Sequence, residues 1–153
     1  MHMGIAERMA SAHKQIAISE FFEKNKHFLG FDTDTRALIT AVKEAVDNAL
    51  DACEEARILP TITIKISKHD TKRDIILLEV QDNGPGIPMK SLENVFGKLL
   101  YGSRFHVIRQ SRGQQGIGIT GVVMYSQLTT GKHTHVISKV EGEATAVHLN
   151  IGL

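Results

Sequence analysis

The sequence predicts an α+β fold, a two-layer sandwich with helices on one face of an antiparallel sheet. Three observations lead there. Residues 35–57 set Leu38, Ala41, Val42, Ala45, Val46, Ala49 and Cys53 at spacings of three and four, the pattern of one buried helix face. Residues 61–67 alternate instead, with Ile62, Ile64 and Ile66 on one side, as a half-buried strand does. The strand-like stretches also come in neighbouring pairs joined by short polar loops, so they pair as hairpins.

The elements follow in order. Residues 5–28 read as a helical arm broken near Ile18, with Ser19 placed to cap the piece beginning at Glu20. Phe21, Phe22 and Phe28 on this arm need a surface, either this domain or a second copy of the chain. Residues 32–34 cap the long helix, and Leu59-Pro60 ends it. Residues 74–81 form a second strand, apolar on both faces from Ile75 to Leu78, and residues 69–73 make the hairpin loop. Asp82-Asn83-Gly84-Pro85-Gly86 is a turn by composition. A short helix covers residues 88–96, with Pro88 near its first position. A glycine-spotted basic loop runs from Gly97 to about Gly116. The helix over residues 117–128 packs Ile119, Val122, Val123 and Leu128. Residues 135–140 and 145–151 close as an antiparallel pair.

At 153 residues the chain has the length of one domain and can bury a core without disulfides. Its net charge of +1 gives no global drive toward nucleic acid or membrane, so any electrostatic argument is local. No apolar run approaches the roughly 18 residues a membrane span needs. Cys53 is the only cysteine, which excludes an intrachain disulfide and fits a cytoplasmic setting. Met1-His2-Met3 lacks the basic and apolar regions of a signal peptide.

Three features carry chemistry. On the long helix, Glu44, Asn48, Asp51 and Glu55 recur at four, three and four, and so share one stripe with no Lys or Arg among them. A solvated acidic face explains the stripe. So does a site for a hard divalent cation, with an Asn oxygen as ligand and a Glu beside it to act on water. After the second strand, Asp82 can accept a hydrogen bond from an exocyclic amine, and Gly84 and Gly86 let a flat base approach the backbone. A plain tight turn uses the same residues. Lys98, Arg104, Arg109 and Arg112, with His106, then lie in an acid-free stretch, and Gly113-Gln114-Gln115-Gly116-Ile117-Gly118 opens a helix. A glycine-rich turn into a helix start aims N–H groups at an anion. A flexible surface loop with a cap would look alike. Together the three describe both sides of a metal–triphosphate. The hexad is neither a Gly-x-x-x-x-Gly-Lys-Ser/Thr loop nor a Gly-x-Gly-x-x-Gly fingerprint. His133 and His135 could share a strand face and a metal, although no third ligand is near.

In this order the motifs resemble those of the GHKL (Bergerat) ATPase superfamily, which includes gyrase, heat-shock chaperones, histidine kinases and MutL. Glu44…Asn48 looks like its first motif, Asp82-x-Gly84-x-Gly86 its second, and Gly113-x-x-Gly116-x-Gly118 its third. Within it, KEAVDNALDACEEA at 43–56, VFGKLLYGSRF at 95–105 and QSRGQQGIGI at 110–119 resemble the B subunits of the archaeal type IIB DNA topoisomerases, and the likeness runs from about Ile18 to Lys139.

That resemblance implies ATP and Mg²⁺ as cofactors. It implies Glu44 as the base that activates water, Asn48 as the Mg²⁺ ligand and Asp82 as the acceptor of the adenine amine, with Gly84 and Gly86 beside it. Ser103 and Arg104 would touch the nucleotide from a lid. The backbone of Gly113, Gln114, Gln115, Gly116, Ile117 and Gly118, continuing into Ile119 and Thr120, would hold the phosphates. Residues 1–30 would be an arm strapping a second B subunit, and residues 31–153 the ATP-binding domain. The implied assembly contains the A subunit as well, and ATP-driven closure of the B subunits gates passage of one DNA duplex through another. A nucleotide-dependent association module without turnover is the competing reading. The family continues past the point matching Leu153 into further sheet, a Gly-Thr motif and a transducer carrying a catalytic lysine. The domain is therefore expected to be truncated at its C-terminal side, with little or no turnover alone.

Overall fold

The computed structural model describes residues 4–72, 74–101 and 118–152. Helix α1 (Ile5–Leu29) leads into α2 (Asp34–Glu55), and then come the strands β1 (Ile62–Lys68) and β2 (Ile76–Asp82). Helix α3 (Met89–Tyr101), helix α4 (Gly118–Thr130) and the strands β3 (Thr134–Ser138) and β4 (Val147–Ile151) follow. Helices with antiparallel strands make the fold α+β, as expected.

The arm is one helix, not two. It runs through Ile18, and Ser19 lies in its interior rather than at a cap. A serine inside a helix loses only a few tenths of a kcal/mol against alanine, too little to break it. The start is Gly4, whose N–H donates to the Glu7 carboxylate at 2.9 Å. The end is Gly30, left-handed at φ 87°, where Gly30 N–H reaches the His27 carbonyl and Phe31 N–H the Lys26 carbonyl. This pair of bonds uses carbonyls the helix leaves free. Thr33 caps α2 by accepting from Arg36 N–H at 3.2 Å. Beside it, Asp32 accepts from His27 Nδ1 and from Arg36 Nη1, both at 2.9 Å. The His27 hydrogen bond, with Arg36 behind it, holds the Asp32 carboxyl below its ordinary value.

Helix α2 stops at Glu55, before Leu59-Pro60 can act. Arg57 takes the left-handed conformation at φ 57°, and Ile58 N–H returns to the Cys53 carbonyl at 2.8 Å. The expected apolar face is the one that packs: Ala41, Ala49 and Cys53 are buried and Leu38, Val42, Ala45 and Val46 half-buried.

The main core joins Phe21, Phe22, Phe31, Ala37, Val123, Met124 and Ile151. It locks the end of α1 and the start of α2 onto α4 and β4. Tyr125 stacks on Phe31 with centroids 5.0 Å apart, and Phe22 closes the group at 5.4 Å from Phe31. Burial pushes the Tyr125 hydroxyl above its ordinary value, and the neighbouring Asp34 charge adds to the shift. On α4, Leu128 is 41% exposed, against expectation, while Thr120 and Met124 are buried. Both patterns fit a helix that is apolar nearly all round, and only its neighbours decide which stripe is covered.

β1 and β2 pair antiparallel from Ile62↔Asp82 to Lys68↔Ile76, and β3 and β4 from Thr134↔Ile151 to Ser138↔Val147. Among the described residues these are two separate hairpins. The expected burial of β1 holds at its base only: Ile62 is half-buried, but Ile64 and Ile66 are 45% and 52% exposed. Nor are both faces of β2 covered, since Ile76 and Leu77 are exposed while Leu78 and Val80 are half-buried. The hairpin meets α2, and at its far end His69 Nε2 lies 3.1 Å from Lys132 Nζ. Helix α3 continues past Gly97 to Tyr101, so the basic stretch begins in a helix rather than a loop. One glycine costs a helix about 1 kcal/mol, and the Lys-Leu-Leu that follows restores good helix formers.

Candidate nucleotide-binding site

Helix α2 is the wall on which the motifs meet. Near its middle, Glu44 is half-buried and its Oε2 would lie 3.5 Å from a Cβ added at Gly118, the first residue of α4. Two and a half turns further, a Cβ at Gly84 would lie 3.5 Å from Cys53 Sγ and 3.8 Å from Ala52 Cβ. The first motif thus touches the end of the third, and the helix carrying it touches the second. The two contacts are nine residues apart, about 13 Å along the helix axis. That leaves room for a base, a sugar and phosphates in a row.

At the second motif, Asp82 Oδ1 accepts from Gly84 N–H at 2.8 Å and so closes the turn on itself. One carboxylate oxygen is thereby fixed, and Oδ2 is left for another donor. Gly86 has φ 76°, and any Cβ there would run into the Lys139 carbonyl. Glycine is required twice over, by its backbone conformation and by the close passage of residues 139–140. Ser138 makes the same join from the side: its hydroxyl accepts from Ile87 N–H at 2.7 Å and donates to the Ile87 carbonyl at 2.8 Å. This ties the loop after β2 to the end of β3.

The acidic stripe splits into two ends. Glu44 and Asn48 are half-buried, while Asp51 and Glu55 are exposed. Lys43 lies beside the stripe, 2.8 Å from Asp47 and 4.0 Å from Glu44. The Asp47 hydrogen bond, reinforced by the Asp47 and Glu44 charges, holds the Lys43 ammonium above its ordinary value. Among the described residues no group of three His, Cys, Asp or Glu could hold a metal. The stripe is therefore no cation cage in its own right. Asn48 suits a cation shared with phosphate, because its carboxamide is half-buried, one turn from Glu44, and offers a neutral oxygen.

Gly118, Ile119 and Thr120 form the first turn of α4, where N–H groups have no carbonyl four residues back within the helix. Thr120 is buried as a whole residue, and Gly118 and Ile119 are half-buried. Ser103, Arg104, Gly113, Gln114, Gln115, Gly116 and Ile117, with His106, Arg109 and Arg112, lie outside the described residues. His133 and His135 do not form a metal pair: β3 begins after His133, and His135 Nδ1 meets His148 Nε2 across the hairpin at 3.2 Å.

Two residues of the site were not singled out from the sequence. Asn83 read only as a turn residue and Ser138 only as strand. Each acts on backbone at least 22 residues away, a distance at which spacing along the chain carries no signal.

The profile of the histidine kinase-, DNA gyrase B- and HSP90-like ATPases matches residues 33–153. The chain belongs to this ATPase family. The matched span opens at the cap of α2 and takes in all three motifs. Among curated relatives, the type 2 DNA topoisomerase 6 B subunit of Archaeoglobus fulgidus is 62% identical over 90% of this chain and 22% of its own. That of Halobacterium salinarum is 59% identical over 94% of this chain and 17% of its own. That of Methanosarcina mazei is 55% identical over 95% and 23%. The chain thus spans about a fifth of the length of the curated relatives it matches. Membership in this ATPase family implies ATP as the ligand. Among the described residues no helix is long and apolar enough to cross a membrane.

Proposed function

We propose that the chain is the ATP-binding portion of a type IIB DNA topoisomerase B subunit. In this reading Mg-ATP lies along α2. Asp82 accepts from the adenine amine through its unused oxygen, with Gly84 and Gly86 against the base. Asn48 contributes its carboxamide oxygen to Mg²⁺, which when bound neutralises phosphate charge. Glu44 takes the proton of a water whose oxygen bonds to the γ-phosphorus as the bond to the β-phosphate oxygen breaks. Gly113 to Thr120 supply N–H groups to the phosphates, and Ser103 and Arg104 contact the nucleotide. In the whole enzyme a second B subunit and the A subunit complete the assembly, and nucleotide-driven closure gates passage of a DNA duplex.

One observation carries most of this: the same helix sets Glu44 against Gly118 and Cys53 against Gly84, which brings three motifs far apart in sequence to one wall. The competing reading, nucleotide-dependent association without turnover, draws on α1. Its Ile5, Met9 and Ile16 stand exposed, an apolar series suited to a second copy.

The test is calorimetry with a non-hydrolysable ATP analogue, with and without Mg²⁺, on this chain and on Asp82→Asn. Mg²⁺-dependent binding is expected, weakened on the order of 10- to 100-fold by the substitution, the range for a hydrogen bond to a charged group. A folded chain that binds no nucleotide sinks the site. Phosphate release measured on the full-length subunit then separates the two readings, since there the first predicts turnover and the second predicts dimers and no free phosphate.

A further inference from the structure

The β1–β2 ladder ends at Ile62↔Asp82, so the next opposed residues are Thr61 and Asn83. Pro60, one step further, has no N–H to give, and the backbone ladder does not continue. The Asn83 side chain takes its place. Its Oδ1 accepts from Thr61 N–H at 2.8 Å and its Nδ2 donates to the Leu59 carbonyl at 3.1 Å. The same Oδ1 receives the Cys53 thiol at 3.6 Å, from the buried face of α2. One carboxamide therefore holds three pieces together: the segment leaving α2, α2 itself and the loop that begins at Asp82. On its other side Asp82 is fixed by the ladder pair with Ile62 and by the Gly84 N–H on Oδ1.

We propose that Asn83 is the positioning residue for base recognition, setting the Asp82 carboxylate at a fixed height on the α2 wall so that the site selects a purine with an exocyclic 6-amino group. The inference rests on the ATP reading above. Asn83 does not touch the base; it acts through Asp82. Without the carboxamide, the ladder would end at Asp82 with nothing holding the turn to residues 59–61, and the carboxylate could shift. Hydrogen bonds weaken steeply with misalignment, so a modest displacement is enough to lose the amine.

The experiment measures dissociation constants of wild type, Asn83→Ala and Asn83→Ser for three Mg²⁺-bound non-hydrolysable triphosphates: the adenosine form, the guanosine form and the purine riboside form, which lacks the 6-amino group. Serine is compatible with the turn but too short to bridge Leu59 and Thr61. Both variants are expected to bind the adenosine form about 10-fold more weakly, the loss of roughly one well-aligned hydrogen bond. They should bind the purine riboside form within twofold of wild type. Thermal unfolding of each variant is recorded beside binding, and if the alanine variant does not fold, the serine variant decides. Equal weakening for the adenosine and purine riboside forms would make Asn83 merely structural and overturn the proposal. So would unchanged selectivity in a folded variant. If wild type itself binds none of the three, or Asp82→Asn leaves binding intact, the parent reading has failed instead.

Discussion

The first half of α1 and the loop from Asn83 to Ile87 differ in an instructive way. The first is regular helix, yet Ile5, Met9 and Ile16 are 70%, 57% and 56% exposed. The second has no regular structure, yet it is tied to residues 59 and 61, to α2 and to the end of β3. A helix satisfies its hydrogen bonds locally, from each residue to the one four before it, and so forms without being placed. The loop forms few local bonds and is placed by distant ones. Position in this protein follows contacts between remote residues, and it is found in the loop proposed to receive the base.

The largest test of that contrast lies within α1. Phe22→Ala should cost about 3–5 kcal/mol of stability, because Phe22 is buried against Phe31 and Tyr125. Ile16→Ala, on the same helix, should stay within about 0.5 kcal/mol. Urea unfolding measures both, and equal losses would show that the free half is held after all. A second pair tests the loop. Gly86 and Gly131 both have positive φ, 76° and 73°, but a Cβ at Gly86 meets the Lys139 backbone whereas one at Gly131 meets nothing. Gly131→Ala should lose about 1–2 kcal/mol, the left-handed penalty alone. Gly86→Ala should lose more. A matching shift in thermal midpoint would mean the close approach to residues 139–140 does not constrain the loop.

The smallest effect concerns the anchor of α1 and depends on pH. Tyr125 has its folded-state pKa raised by burial. Between the unfolded value near pH 10 and the higher folded value, the folded state binds more protons, so stability falls as pH rises. The contribution is fully present below the unfolded value and is lost as pH rises through the folded one. Urea midpoints measured from neutral into this alkaline range should decline in wild type and decline less in Tyr125→Phe. Identical slopes would separate Tyr125 from the packing that holds the arm.

The sequence by itself determined the kinds of element, their order and the candidate residues for a nucleotide site. Period two marked β1 and period three-to-four marked α2, because each backbone repeats its side-chain directions over a few residues. Glu44, Asn48 and Asp82 could be singled out as candidates because the chemistry proposed for them depends on residue type at short spacing. Tertiary structure alone decided the rest. Periodicity says which residues share a face, not whether that face finds a partner: Leu128 lies outside, Met124 inside, and Ile66 of an alternating strand is half in water. Continuity through Ser19 and Gly97 was likewise settled by neighbouring propensity, which outweighs one weak helix residue. Above all, Asn83 reaches Leu59 and Thr61 across 24 and 22 residues of chain. A side chain that substitutes for a backbone ladder leaves no periodic trace, because its partners become neighbours only when the hairpin closes beside α2.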